Sequence, residues 1–308
     1  MSLKPEDALA EDYDEFGFLE DVAAEWAIPW RGRPKVERRF VEAYPGQKVS
    51  YLAWGEATPE LVFLHGGGQN AHTWDAVALG LGRPAVAIDL PGHGHSDWRE
   101  DRDYRPWTNA EMLGVILPKI APQAAATIGM SLGGATTISL AASRPDLARK
   151  AVIVDVTPQV NDPGRAFTTM ERGTVALIAG PPTYASFEEM AQAAVALSPF
   201  RPAESVRRGV RHNSRRLADG RWGWRYDLFG PRPSMDFTRQ WADVERIAQP
   251  AMLVLGGESK YVLPSDVKEM RRRKPDIRVE TVVGAGHAVQ SDRPLDLVRL
   301  IDDFVFGG

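Results

Sequence analysis

A Gly-x-Ser-x-Gly pentapeptide at residues 129–133 follows an apolar run at residues 124–128 and constrains the fold more than any other feature. The glycines let the backbone turn sharply from a strand into a helix, and the turn leaves the Ser131 hydroxyl at the strand end. Small apolar residues recur at helical spacing over 132–142, which predicts a buried helix after the turn. Ser131 is therefore a candidate nucleophile, and the Leu132 amide is a candidate donor to an oxyanion.

A glycine-rich loop supplies a second candidate donor for the same oxyanion. The apolar residues 61–64 predict a short strand, which His65 separates from the glycines at 66–68. Because glycines have no side chain, this backbone is able to approach a ligand closely. We expect the Gly67 amide to be the second oxyanion donor and Gly68 to line the substrate site.

A histidine in a loop of small residues is the candidate general base. His287 lies within residues 284–288 and follows the strand-like residues 279–283. A loop histidine taken alone is more often a surface residue. Downstream of Gly-x-Ser-x-Gly, however, it completes the chain order serine, acid, histidine that a nucleophilic triad uses.

Together these segments resemble the α/β-hydrolase family over about residues 37–308. The resemblance is carried by His65-Gly66-Gly67-Gly68, Asp89-Leu90-Pro91-Gly92-His93-Gly94, Gly129-Met130-Ser131-Leu132-Gly133 and Gly284-Ala285-Gly286-His287. It implies an α/β fold with a mostly parallel eight-stranded sheet, flanking helices and an inserted helical cap. The alternation of predicted strands and helices favours the same sheet. We expect an N-terminal extension at 1–36, a core at 37–157 and 246–308, and a cap domain at 158–245.

The acid of the triad has two candidates. Many family members place it after the seventh strand, but the usual aspartate position there holds Ser259, with Glu258 one residue out of register. A subgroup of the family places it after the sixth strand, where this chain has Asp155. That subgroup often shows a Gly-Gly-x-Ser-x-Tyr/Phe-Val pattern after strand seven, which residues 256–262 fit, so the resemblance favours Asp155. Either strand end lies on one sheet edge with His287, and a neutral hydroxyl at Ser259 would hardly stabilise an imidazolium. Glu258 remains the alternative.

The resemblance implies a serine esterase. Ser131, His287 and Asp155 would cleave a carboxylic ester of a small or medium substrate through an acyl-enzyme. Cleavage of a carbon–carbon bond, a lactone or an amide by the same residues remains open, as does a receptor-like role in ligand binding. Trp222 and Trp224 in the predicted cap are candidate substrate-binding residues, or else part of the cap's own core.

Composition restricts the partners. The 308 residues carry a formal net charge of −4 and contain no cysteine, so disulfides, thiol catalysis and a general affinity for nucleic acid are excluded. No signal peptide and no bilayer-spanning apolar run is visible, which predicts a cytoplasmic protein with no membrane partner. We expect a small-molecule substrate and a possible homodimer.

No cofactor and no metal are expected from the sequence. No cluster of histidines and carboxylates has the spacing of metal ligands, and the glycine-rich loop lacks a dinucleotide fingerprint. His212, a lone histidine between arginines, is predicted to lie on the surface.

Overall fold

The computed structural model describes residues 13–162, 165–229 and 233–307. Residues 1–12 of the predicted N-terminal extension lie outside the described residues, as do 163–164 and 230–232 of the predicted cap.

The core is an 8-stranded, mostly parallel sheet, which confirms the predicted fold class. Its strands in chain order are β1 (Val36–Tyr44), β2 (Gln47–Trp54), β3 (Leu61–Leu64), β4 (Ala85–Ile88), β5 (Ala126–Met130), β6 (Ala151–Val154), β10 (Ala251–Gly256) and β11 (Arg278–Val282). Across the sheet the order is β1-β2-β4-β3-β5-β6-β10-β11, and only the pairings made by β2 are antiparallel. Every residue of β3, β4 and β6 is buried, because helices cover both faces of the sheet.

Two helical layers cover the sheet. The helices of the core are α1 (Leu19–Glu25), α2 (Asp75–Leu81), α3 (Pro106–Ile120), α4 (Leu132–Ser143), α8 (Phe237–Arg246), α9 (Pro264–Arg273), α10 (Val289–Asp292) and α11 (Pro294–Phe306). Helices α3, α4, α8 and α9 share one buried apolar cluster with the sheet, and α1, α2, α10 and α11 share the other. In the described residues, no helix is long and apolar enough to cross a bilayer.

The segment between β6 and α8 forms an apolar cluster of its own. It contains α5 (Thr169–Arg172), α6 (Phe187–Ala196), α7 (Ala203–Asn213) and a 3-stranded sheet of β7 (Thr183–Tyr184), β8 (Ser214–Arg216) and β9 (Trp222–Trp224). The chain leaves α7 after Asn213 and pairs as β8 with β9. That this segment is a separate cap domain stays a prediction.

The turn from β5 into α4 depends on the absence of two side chains. A Cβ atom at Gly133 would lie 2.2 Å from the Leu64 carbonyl oxygen of β3, and one at Gly129 would lie 2.1 Å from the Gly133 carbonyl oxygen. Both clashes are with backbone atoms, which cannot rotate away as a flexible side chain would. The close approach of α4 to the sheet therefore requires glycine at both positions.

This close approach makes a stability prediction. We expect Gly133→Ala to lower the free energy of unfolding by about 1–3 kcal/mol, the usual cost of overpacking, or more if the helix cannot shift. Gly209→Ala is the matched control, since Gly209 lies in α7 with nothing within 4 Å of its would-be Cβ. That change should be neutral or stabilise by up to about 1 kcal/mol. Urea unfolding of both variants measures the difference, and equal midpoints would contradict the packing account.

Candidate active site

Ser131 lies at the strained turn between β5 and α4. Its backbone has φ 50° and ψ −113°, a conformation that residues with a side chain rarely adopt. The Ser131 amide donates to the Val154 carbonyl oxygen at 3.0 Å, so the adjacent strand end holds the turn in place. The strain is maintained by surrounding structure, as is common at functional sites.

Asp155 directly follows β6 and is completely buried. Its Oδ1 accepts a hydrogen bond from the Gly256 amide at 2.9 Å. Its Oδ2 accepts from the Ser259 hydroxyl at 2.5 Å and from His287 Nδ1 at 2.7 Å. Glu258, the alternative acid, is exposed. Of the two candidates, the structure brings Asp155 to His287.

The imidazole of His287 is fixed by a hydrogen bond at Nδ1 and by an aromatic ring stacked on its face. The Tyr261 ring stacks on it, with 3.5 Å between the ring centroids and 9° between the planes. His287 Nε2 is buried and has no hydrogen-bond partner in the described part of the chain. The ring thus has one nitrogen committed to Asp155 and the other available for a proton transfer.

Ser259 and Tyr261 are linked to each other and to the acid. The Tyr261 amide donates to the Ser259 hydroxyl oxygen at 3.1 Å, while the same hydroxyl donates to Asp155. In the sequence, Ser259 stands out only as the position where an aspartate is commoner. The structure shows that its hydroxyl instead supports the carboxylate after β6.

Asp292 and Arg201 hold the loop that carries His287. Asp292 Oδ2 accepts from the Gly286 amide at 2.9 Å, and its Oδ1 lies 3.3 Å from Arg201 Nε. Burial raises the pKa of Asp292 although the Arg201 charge opposes this, and burial likewise lowers the pKa of Arg201. The sequence did not indicate this pair, because Arg201 comes from the inserted segment and meets Asp292 only in the folded chain.

The two predicted oxyanion donors are backbone amides that the described residues leave without an acceptor. In the described part of the chain, neither the Gly67 amide nor the Leu132 amide donates a hydrogen bond. The loop around Gly67 is shaped by Gln69, whose Oε1 accepts from the Gly66 amide at 3.0 Å. His65 Nε2 accepts from the Leu90 amide at 2.9 Å, and burial lowers the pKa of His65, so its ring is a neutral structural group.

A cavity of about 460 Å³ opens beside Ser131. Gly67 and Leu132 lie on its wall, and most of its other lining residues are apolar, namely Ala135, Val156, Val160, Val175, Ile178, Leu228, Pro233 and Met235. Six of these apolar residues, from Val160 to Met235, come from the segment predicted to be the cap.

The structure places the other predicted substrate-binding residues elsewhere. Trp222 packs edge-on against Phe187 in the core of the inserted segment, so it does not reach the cavity beside Ser131. Trp224 and Gly68 line a different cavity, whose lining does not include Ser131. Both tryptophans pack in the aromatic core of the inserted segment.

His212 is buried, and the expectation of a surface position is wrong. Its ring stacks on His72, with centroids 3.8 Å apart. The sequence could not indicate this, because His72 lies in the turn before α2 and His212 at the end of α7.

Comparisons with known proteins agree with the architecture. A family model described as the alpha/beta hydrolase family matches residues 61–300. The chain is similar to the esterase Rv0045c of Mycobacterium tuberculosis, with 47% identity over 94% of this chain and 94% of the relative. A structure of that esterase, from work on its transition metal inhibition, has a TM-score of 0.84 at 46% identity and covers 94% of this chain and 98% of the other.

A more distant relative is the mouse sn-1-specific diacylglycerol lipase ABHD11, which is 30% identical over 83% of this chain and 85% of the relative. The family match covers the strands that carry Ser131, Asp155 and His287, and it extends over most of the chain. The protein therefore belongs to the α/β hydrolase family.

Proposed function

We propose that this protein is a serine hydrolase that cleaves a carboxylic ester of a small or medium substrate through an acyl-enzyme. The observation that carries the proposal is the pairing of His287 Nδ1 with the buried Asp155 carboxylate at 2.7 Å, which leaves Nε2 available at the sheet edge that carries Ser131. This is the relation of base and acid that a nucleophilic serine needs.

The reaction begins with attack of Ser131 Oγ on the ester carbonyl carbon. His287 Nε2 takes the hydroxyl proton as the new C–O bond forms, and then returns a proton to the departing alkoxide as the ester C–O bond breaks. Water then attacks the acyl carbon while His287 Nε2 takes one of its protons, and that proton passes to Ser131 Oγ as the bond between Oγ and the acyl carbon breaks and the carboxylic acid leaves. Among the described residues His287 Nε2 makes no hydrogen bond, and we expect its bond to the Ser131 hydroxyl to form with substrate bound, as catalytic hydrogen bonds often do.

Asp155 fixes the tautomer and orientation of His287. Because its carboxylate can only accept, the Nδ1 proton must point toward it, which leaves the Nε2 lone pair for the Ser131 proton. The negative charge also stabilises the imidazolium that forms in the transition state. Glu258 is exposed and has no such position.

The Gly67 and Leu132 amides form the oxyanion hole of the proposed mechanism. Both border the cavity beside Ser131, and both lack a hydrogen-bond acceptor among the described residues. Amides held in place in this way favour the charge that develops on the carbonyl oxygen and need no reorganisation during the reaction.

The shape of the cavity favours an apolar acyl group of moderate size. A volume of about 460 Å³ falls within the range of small-molecule sites, and eight apolar residues line it beside Arg102, Tyr104 and Arg105. The inserted segment between β6 and α8 supplies part of these walls, which supports its role as a cap that shields the site from water. The names of the relatives, an esterase and a lipase, support ester hydrolysis over the other reactions open to these residues.

Removal of the nucleophile tests the proposal most simply. Ser131→Ala should lower kcat/KM for p-nitrophenyl butyrate by at least about a thousandfold, because no other group forms the acyl-enzyme. A fluorophosphonate should label the native protein at Ser131 and leave the variant unlabelled, as read by mass spectrometry. A label on another residue, or an active variant, would refute the assignment.

The choice of acid has its own test. Asp155→Asn keeps the size of the side chain but removes the charge and permits the wrong tautomer, so kcat should fall by roughly a thousandfold or more. Glu258→Gln is the matched control and should cost less than about tenfold, because Glu258 is exposed. The opposite ranking of the two variants would assign the role to Glu258.

Ser259 is a positioning residue, since it acts through Asp155. Ser259→Ala removes a hydrogen bond to a buried carboxylate, and we expect kcat to fall on the order of tenfold with KM little changed. Ser259→Thr keeps the hydroxyl and should recover most of the loss. If Ser259→Ala raises KM and leaves kcat unchanged, the hydroxyl serves substrate binding and not the acid.

A further inference from the structure

Tyr261 lies directly on the face of the His287 imidazole. Its ring is buried in the loop between β10 and α9, with 3.5 Å between the two ring centroids and 9° between the planes. Burial raises the pKa of Tyr261, so the phenol is neutral and acts on its neighbour through the ring face. None of the reaction steps proposed above uses this ring.

The stacked arrangement suits a charged imidazole better than a neutral one. Two neutral aromatic rings avoid direct face-to-face stacking, because both faces carry negative charge density. A cation above the same face is attracted, and the attraction is strongest where water is excluded. Water has little access here, since the His287 side chain is only 9% exposed and Tyr261 is buried. The Tyr261 ring therefore interacts more strongly with an imidazolium than with the neutral ring.

Asp155 and Tyr261 act on the same imidazole from two directions. The carboxylate accepts from Nδ1 at 2.7 Å, whereas the aromatic ring covers the face. Ser259 joins the two residues, because its hydroxyl donates to Asp155 and accepts from the Tyr261 amide. Neither contact occupies Nε2, the nitrogen that exchanges a proton with Ser131 in the proposed reaction.

The start of the inserted segment holds Tyr261 in this position. Phe167 stacks on the Tyr261 ring, with 4.9 Å between the centroids and 16° between the planes. The Tyr261 hydroxyl donates to the Arg172 carbonyl oxygen at 3.3 Å, and Arg165 Nη1 donates to the Tyr261 carbonyl oxygen at 2.9 Å. All three contacts come from residues 165–172, so the position of Tyr261 depends on a segment outside the core.

Arg165 is itself fixed by a buried carboxylate. Its Nη2 donates to both oxygens of Asp266, at 2.8 and 2.6 Å. Asp266 is buried in the first turn of α9, and its Oδ2 also accepts from the Leu263 amide at 2.8 Å. Because charge-assisted hydrogen bonds of this kind orient the planar guanidinium, Arg165 ties the loop that carries Tyr261 to the inserted segment.

We propose that Tyr261 is a positioning residue whose ring face stabilises the imidazolium that His287 becomes when it takes the Ser131 proton, and that residues 165–172 hold it there. An interaction that is stronger in the transition state than in the ground state raises kcat and leaves KM little changed. The proposal rests on the proposed role of His287 as general base. It gives the inserted segment a part in the chemistry without any contact to the substrate.

Fluorination of the ring tests the electrostatic effect without changing the packing. Tyr261→Phe keeps the ring face and should keep most of the native kcat for p-nitrophenyl butyrate. Phenylalanine analogues with one, two and three fluorine atoms at this position withdraw charge from the face. Across the series kcat should fall in steps to about a tenth, within the roughly 2- to 30-fold that a cation over an aromatic face supplies, with KM little changed. Trifluorophenylalanine in place of Phe187, which packs against Trp222, is the matched control and should leave kcat unchanged.

Two kinetic results would overturn the role of the ring face. One is an unchanged kcat across the fluorinated series. The other is a loss of kcat that Tyr261→Phe already shows in full, because the hydroxyl would then be responsible. The fluorinated rings keep the size of phenylalanine, and near-ultraviolet circular dichroism checks that the variants are folded.

A measurement without substrate separates this proposal from the proposed function. Tyr261→Leu should move the His287 ring-proton NMR resonances downfield, because an aromatic face shields the protons above it. His287→Asn identifies these resonances by their loss, and Tyr261→Met is measured if Tyr261→Leu does not fold. Unmoved resonances would refute the stack at any level of activity. A native protein that shows the shift and hydrolyses no ester would refute the proposed function instead.

The role of the inserted segment has its own test. Arg165→Gln and Phe167→Leu each remove one support of Tyr261, so both should lower kcat several-fold and move the His287 resonances in the same direction as Tyr261→Leu. Met170→Ala is the matched control and should change neither, because Met170 is exposed on α5 of the same segment. Native kcat and unmoved resonances in both support variants would overturn the role of this segment.

Discussion

The arrangement of the site depends on one buried carboxylate. Asp155 leaves β6 with φ 51°, and its two oxygens accept from Gly256, Ser259 and His287. These donors come from the end of β10, from the loop after it and from the loop after β11. A single charge therefore connects three neighbouring segments at one edge of the sheet. A buried carboxylate without these donors would be costly, so the fold and the orientation of His287 are stabilised together.

Backbone strain accompanies this arrangement at both strand ends. Ser131 and Asp155 have positive φ angles, and each is fixed by a hydrogen bond from its amide to the neighbouring strand. The Ser131 amide bonds to Val154, and the Asp155 amide bonds to Val254 at 2.7 Å. The regular pairing of β5, β6 and β10 thus supports two conformations that isolated residues would avoid. The rigid sheet is the reason that the side chains converge.

Local patterns in the sequence were enough to predict the main sheet and the strand ends that bring Asp155 to His287. Continuous apolar runs identify β3 to β6, and the glycines around Ser131 and His287 permit turns that few other residues allow. The small sheet could not be predicted, since β8 is the polar triplet Ser214–Arg216 and pairs only through tertiary contact.

Contacts between distant residues explain what the sequence did not indicate. Arg201 meets Asp292, and His212 meets His72, only after the inserted segment packs on the core. Trp222 shows the reverse case, because its aromatic character is equally suited to a ligand site and to a small core. Trp222 packs against Phe187 of α6, so it belongs to the core of the inserted segment. Periodicity reports burial along one element and carries no information about which elements meet.

The central claim is that Asp155 acts on Ser131 through His287, while the Gly67 and Leu132 amides stabilise the charge on the carbonyl oxygen. A crystal structure of the protein after reaction with a fluorophosphonate tests it directly. The account predicts a phosphonyl group on Ser131 Oγ, with its oxygen within about 3.2 Å of the Gly67 and Leu132 amide nitrogens and His287 Nδ1 still bonded to Asp155. A phosphonyl oxygen turned away from both amides, or His287 paired with Glu258, would contradict it.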